Sequence, residues 1–256
     1  MHRQEPDPHP GASVRPKKHL GQHFLTDRRI AERIAALAAP QPGERVVEIG
    51  PGTGVLTAEL LKRGLAVTAI EYDPESVAYL HQHYASAPLT VIGGDVLAYD
   101  LGTSPTVLVG NLPYNLSSPI LFHALEHRQH VRQLVFMVQR EVAQRWAAPE
   151  GSRTYGILSV LAGYYYRAEL HFTVPPGVFR PPPKVTSAVI TFERREGVPA
   201  VDFGRFKALV KAAFNQRRKT LGNALKGFPV NLPPALAGLR AEQLSPTAFA
   251  ELAAQP

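Results

Sequence analysis

The sequence predicts an α/β protein: a doubly wound, mainly parallel sheet with helices on both faces, followed by a small all-helical segment. Three observations predict this. Short apolar runs alternate with helical patterns from Arg45 to Leu161. A glycine-rich turn follows the first of these strands, and after about Arg194 only helical patterns remain.

The proline-rich stretch 1–14 has little apolar material and reads as a disordered tail. It has no apolar core, so it does not read as a secretory signal. Thr26 or Asp27 can cap a helix in which Ile30, Ile34, Leu37 and Ala38 share one face. Arg45–Ile49 reads as a buried strand, and the helix after the glycine-rich turn runs from about Val55 to Arg63. Leu65–Ile70 is the next strand. Asp73 then caps a helix with Pro74 at its first position, ending near Tyr84. Leu89–Ile92 and Thr106–Val109 are further strands, and Leu134–Val138, Gln139–Ala147 and Tyr155–Leu161 continue the alternation. A strand is expected at Thr186–Phe192. Helices are expected at about 203–214 and 217–226, with a last one opening at Ser245-Pro246. The division expected is a tail (1–14), an α/β domain (15–195) and a small helical domain (196–256).

Composition narrows the function classes. In 256 residues, 45% are hydrophobic and 19% charged, which is globular and sufficient for a core. No apolar run is long enough to span a bilayer. Cysteine is absent, which excludes disulfide scaffolds, thiolate metal sites and cysteine nucleophiles. A cytoplasmic monomer with no membrane partner is expected. The net charge is +7, and it is concentrated: Arg194, Arg195, Arg205, Lys207, Lys211, Arg217, Arg218, Lys219 and Lys226 stand against only Glu196 and Asp202. Arg15, Lys17 and Lys18 form a smaller basic group. Clustered positive charge suits a polyanion such as nucleic acid, and it also suits a solvated face.

The glycine-rich turn is Glu48-Ile-Gly-Pro-Gly-Thr-Gly54. Gly50, Gly52 and Gly54 allow a tight turn and close approach of a ligand. The dinucleotide fingerprint has a further residue between its second and third glycines, and here Val55 stands where that third glycine would be. Glu71, at the end of the next strand, can accept both hydroxyls of a ribose. Asp95, after the third strand, can accept from an adenine amine. This order resembles the class I, Rossmann-like S-adenosylmethionine-dependent methyltransferases, whose donor has no pyrophosphate to cradle.

Asn111-Leu-Pro-Tyr114 follows the fourth strand and resembles the motif of amino-methyltransferases that act on nucleic-acid bases. An adenine N6 lone pair is delocalised and weakly nucleophilic. The Asn111 side-chain oxygen and the Leu112 carbonyl can accept its two N–H bonds, which favours a pyramidal nitrogen. Pro113 stiffens the turn and offers no donor. Tyr114 can stack on an extruded base. Phe179 can supply the second face of that aromatic sandwich, or be a core aromatic. His123, His127 and His130 have metal-like spacing, but Glu126 is the only acid nearby and cysteine is absent, so no metal is expected. Tyr164-Tyr-Tyr166 reads as a packed strand.

Taken together, Lys17-Lys-His-Leu-Gly-Gln-His-Phe-Leu25, Glu48–Gly54, Asn111–Asn115, Phe179–Val185 and Arg217–Leu225 resemble the small-subunit rRNA adenine N6,N6-dimethyltransferase family from about residue 15 onward. The resemblance implies dimethylation of two adjacent adenosines in the 3′-terminal hairpin loop of small-subunit rRNA, within immature 30S particles. It implies S-adenosylmethionine as donor, held by His23, Leu25, Gly50, Gly52, Glu71, Asp95 and Asn111, and rRNA contacts from Lys17, Lys18, Arg217, Arg218 and Lys219. The family usually has Asn at the position of His23. Three other readings stay open: a resistance-type dimethyltransferase of large-subunit rRNA, a non-catalytic RNA-binding or transcription cofactor, and a small-molecule methyltransferase.

Overall fold

The structure, a computed structural model, describes residues 14–17 and 20–255. The expected tail therefore lies outside the described residues except for Val14, as does Lys18. Nine strands are present among the described residues: β1 (Phe24–Leu25), β2 (Arg45–Ile49), β3 (Val67–Glu71), β4 (Leu89–Gly93), β5 (Thr106–Asn111), β6 (Val131–Gln139), β7 (Tyr166–Val174), β8 (Phe179–Arg180) and β9 (Ser187–Arg194). The helices are α1 (Arg28–Leu37), α2 (Val55–Lys62), α3 (Pro74–His83), α4 (Ser117–Glu126), α5 (Arg140–Trp146), α6 (Ile157–Tyr165), α7 (Phe203–Asn215), α8 (Leu221–Ala224), α9 (Pro234–Ala237) and α10 (Pro246–Ala253).

Seven strands form one sheet in the order β4-β3-β2-β5-β6-β9-β7. β2 to β6 are mutually parallel, and β9 runs antiparallel to both β6 and β7. Alternation along the strands builds two cores. Val46, Val107, Val109, Val135 and Met137 face α1 and α2, whereas Val47, Leu108, Leu134, Phe136 and Val138 face the opposite layer. Asp27 caps α1 by accepting from the Arg29 and Ile30 amides, and Asp73 caps α3 ahead of Pro74.

The strand order reverses beside β2, which pairs with β3 on one side and β5 on the other. Ile49 is level with Ile70, Glu48 with Val109, and Glu71 with Gly93. Continued along this register, Gly50, Glu71 and Asn111 stand at the same height. A crevice opens at such a reversal, outside the carboxyl ends of the strands.

Some elements differ from the sequence expectation. Tyr164 and Tyr165 end α6 and only Tyr166 enters β7; all three are buried. The helix expected at 217–226 shrinks to α8, because residues 216–219 form a turn in which the Lys219 amide donates to the Gln216 carbonyl. β1 and β8 form a separate two-stranded ribbon that the sequence did not signal. The segment after residue 195 is helical, and its Phe206, Leu209, Phe214 and Phe249 share one apolar core with α6 and the sheet. No helix among the described residues is long and apolar enough to cross a membrane.

Candidate active site

A cavity of about 220 Å³ lies at the reversal point. His23, Gly50, Gly52, Glu71, Asp95, Asn111, Leu112, Pro113 and Tyr114, all singled out from sequence, line it together. Leu25 lies just outside, on a smaller adjoining recess that it shares with Gly50 and Asn111.

The turn after β2 is positioned by its backbone. Gly50, Gly52 and Gly54 have φ of 64°, 58° and 80°, a region that side chains with a Cβ avoid. The Gly50 amide donates to the Ile70 carbonyl at 2.9 Å, tying the turn to β3. A Cβ on Gly52 would sit 2.8 Å from the Phe24 ring. Glu71 is almost fully buried. Its Oε2 accepts from the Gly52 amide at 2.9 Å and its Oε1 from the Asp73 amide at 2.8 Å. Burial pushes the Glu71 carboxyl up, and the Asp73 and Gly52 amides pull it back only in part. Each oxygen keeps acceptor capacity, so two further hydroxyls can still be bound. Asp95 is exposed on the rim; its Oδ1 accepts from the Leu97 amide at 2.9 Å, and Oδ2 has no bond among the described residues. Ile70 and Val96 add apolar wall, and Tyr72 stands exposed at the lip. A paired-acceptor carboxylate, a second rim carboxylate and an apolar slot fit an adenosine.

On the other side, the Asn111 amide nitrogen donates to the His23 carbonyl at 3.1 Å. Its oxygen is left to accept. The Tyr114 hydroxyl bonds Ser187 Oγ at 2.7 Å, and its ring stacks on His23 with centroids 5.4 Å apart and planes at 28°. The buried Leu112 side chain packs beside Gly110, where any Cβ would meet the Ile49 carbonyl at 2.8 Å.

Three of the expected site residues have other partners in the structure. Phe179 does not reach the cavity: it is buried in the core on the α1 side, opposite Leu25 in the β1–β8 ribbon. Lys17 is not a free cation, since its ammonium bonds Asp73 Oδ1 at 2.5 Å and Glu75 Oε1 at 3.1 Å. Arg217 donates to the carbonyls of Arg153 and Tyr155, so it braces the loop before α6. Arg218 and Lys219 are exposed.

Sequence reasoning missed the strap that closes the cavity. Leu20 to Phe24 line it, and Gln22 reaches Asp73 Oδ2 at 3.4 Å while its oxygen accepts from the Lys17 amide at 2.8 Å. Burial raises the Asp73 carboxyl, and Lys17, Gln22 and the Glu75 amide together hold it below the usual range. Glu48 was read only as part of the turn. It is fully buried, accepts from Thr57 Oγ1 at 2.6 Å, and is pushed up to about 8 by burial.

Comparison with known proteins points to one family. The family model described as ribosomal RNA adenine dimethylase matches residues 14–232. A ribosomal RNA small subunit methyltransferase A of Xanthomonas campestris pv. campestris is 48% identical over 250 residues, covering 93% of this chain and 95% of that protein. One from Xanthomonas oryzae pv. oryzae is 47% identical over 252 residues, with the same coverage. Among solved structures, a dimethyladenosine transferase from Plasmodium falciparum has a TM-score of 0.78 at 26% identity, covering 90% of this chain and 96% of that one. The 23S rRNA methyltransferase ErmE has a TM-score of 0.69 at 27% identity, covering 91% and 100%. The chain belongs to the ribosomal RNA adenine dimethylase family.

Proposed function

We propose that this protein dimethylates N6 of two adjacent adenosines in the 3′-terminal hairpin loop of small-subunit rRNA, using S-adenosylmethionine, and that it acts on immature 30S particles as a monomer. The observation that carries the reading is the meeting of Glu71, Asp95, Asn111 and Tyr114 in one cavity. The names of the curated relatives favour the small-subunit substrate over the large-subunit one.

The donor supplies an electrophilic methyl. Glu71 would accept its ribose hydroxyls and Asp95 its adenine amine, and the glycine turn with Leu25 would border its methionine end. Asn111 does the orienting. Because its nitrogen is committed to His23, its oxygen accepts one N6–H while the Leu112 carbonyl accepts the other. Those two bonds favour a pyramidal nitrogen whose lone pair is free to attack. Tyr114, held at its hydroxyl by Ser187, offers its ring to the extruded base. As the N6–methyl bond forms the donor's methyl–sulfur bond would break, leaving a neutral thioether, and the methylated nitrogen, now acidic, would release its proton to water, so no ionised base is needed. Arg218 and Lys219 supply phosphate contacts.

The test is to offer the purified protein and labelled donor either immature small-subunit particles or naked large-subunit rRNA. Dimethyladenosine is expected in the particles alone. Labelling of the large-subunit RNA alone would overturn the assignment.

A further inference from the structure

Resting on that reading, we infer that His123 is a positioning residue for the donor: from α4 it fixes the turn that presents Asp95. This turn closes on itself. The Ala98 amide donates to the Asp95 carbonyl at 3.0 Å and the Tyr99 amide to the Val96 carbonyl at 3.3 Å, while the Leu97 amide donates to the Asp95 side chain at 2.9 Å. Residues 95–99 are therefore held as one piece. In front, the Gly94 amide donates to the Glu71 carbonyl at 2.8 Å, tying the turn to β3. Behind it, the Leu101 carbonyl accepts from the Arg45 guanidinium.

Between these ties, the Tyr99 carbonyl has one partner among the described residues, His123 Nε2 at 3.0 Å. A carbonyl only accepts, so Nε2 carries the proton and donates. Burial, and then the neighbouring His127, hold the His123 ring below the usual histidine range, so it stays neutral at neutral pH and keeps that single proton. His127, one turn on, has Nδ1 3.1 Å from the His123 carbonyl and faces the next residue of the loop, with Nε2 3.5 Å from Asp100 Oδ1. The helix is a firm base for this strut. Ile120, on the same face as His123, is buried with Leu121, Ala124 and Leu125, and it lines the cavity together with Val96.

The chemistry asks for such a strut. Asp95 is exposed, on a turn that belongs to no helix or strand. An exposed carboxylate selects for an amine only when its oxygen is held at hydrogen-bond distance, because water competes for a loosely placed one. Without the His123 bond the Tyr99 carbonyl loses its donor, and the turn must shift to satisfy it. The role therefore predicts a defect in recognising the adenine amine, not a uniform loss of donor affinity.

The experiment measures, by calorimetry on the full chain, the affinities for S-adenosylhomocysteine and for its 6-deamino analogue, in which hydrogen replaces the adenine amine. The wild type is expected to prefer the amine about ten- to a hundredfold, the range a hydrogen bond to a charged group commands. Asp95→Ala should abolish that preference. His123→Phe keeps a ring but cannot donate, and the preference should fall at least about threefold. His123→Gln, which can place an amide N–H near the same point, should restore it. His123→Asn is too short to reach the carbonyl and is expected to match His123→Phe, which keeps the test decisive if the Phe variant does not fold. A smaller fall, an equal loss of affinity for both ligands, or no recovery in His123→Gln would overturn the inference and leave His123 as a packing residue. A preference that survives Asp95→Ala would instead remove Asp95 from the adenine amine, and a wild type that binds no S-adenosylhomocysteine would count against the methyltransferase reading; the inference would fall with either.

Discussion

The Asn111 amide nitrogen lies 3.1 Å from the His23 carbonyl, and that bond decides which end of the amide can accept. The residue that closes the site from the N-terminal side thereby sets the polarity of the residue proposed to grip the target amine.

Asn111→Asp is expected to remove this bond and to set a carboxylate oxygen against the His23 carbonyl. The single-turnover rate should fall about 10²- to 10³-fold, the usual cost of losing one oriented transition-state hydrogen bond. Rapid-quench measurement with saturating donor checks this; a rate within fivefold of wild type would refute the orienting role.

Gly52→Ala places a methyl 2.8 Å from the Phe24 ring at a φ of 58°. Both the strain and the clash disturb the amide that Glu71 accepts. Donor affinity by calorimetry is expected to fall tenfold or more, with a lowered melting temperature.

Glu48 gives a pH dependence whose sign is fixed by its raised folded value of about 8 against an ordinary carboxyl near 4.5. Between these values the folded chain holds a proton that the unfolded chain has released. The stability contribution is therefore full below about 4.5 and is lost as pH rises through about 8. Glu48→Gln keeps the Thr57 bond and removes the titration. It is expected to match wild type at pH 5 and to exceed it at pH 9, by on the order of a few kcal/mol. Chemical denaturation at the two pH values tests this, and parallel curves would count against a buried neutral carboxyl.

Arg218 and Lys219 are exposed, whereas Lys17 is engaged with Asp73 and Glu75. Charge removal at either exposed residue should lower the salt slope of particle binding by about one. Lys17→Ala should leave that slope unchanged and loosen the strap, seen as faster amide exchange at residues 20–24.

Much of the site was legible because it is local. Gly50 follows a strand directly, Glu71 ends the next, and Asn111–Tyr114 is contiguous, so one parallel topology brings them to one edge. Contacts that depend on side chains far apart in sequence carried no such signal. Lys17 is 56 residues from Asp73, and neither residue type nor spacing announces that the cation is already paired. Phe179 illustrates the same limit. Its two-residue strand pairs with another of two residues, too short for any periodicity, and this pairing turns the ring into the core. The helix expected at 217–226 failed for a related reason. Arg217 donates its guanidinium to the carbonyls of Arg153 and Tyr155 while the chain turns before Thr220, the residue that precedes α8.

The central claim is that one cavity has two separable halves, one for the donor and one for the purine. Calorimetry of S-adenosylhomocysteine with Glu71→Ala and Tyr114→Ala, alongside methylation of immature small-subunit particles, tests it most directly. Both substitutions are expected to abolish methylation, but only Glu71→Ala should abolish binding. Retained binding in Glu71→Ala, or equal loss of binding in Tyr114→Ala, would contradict the account.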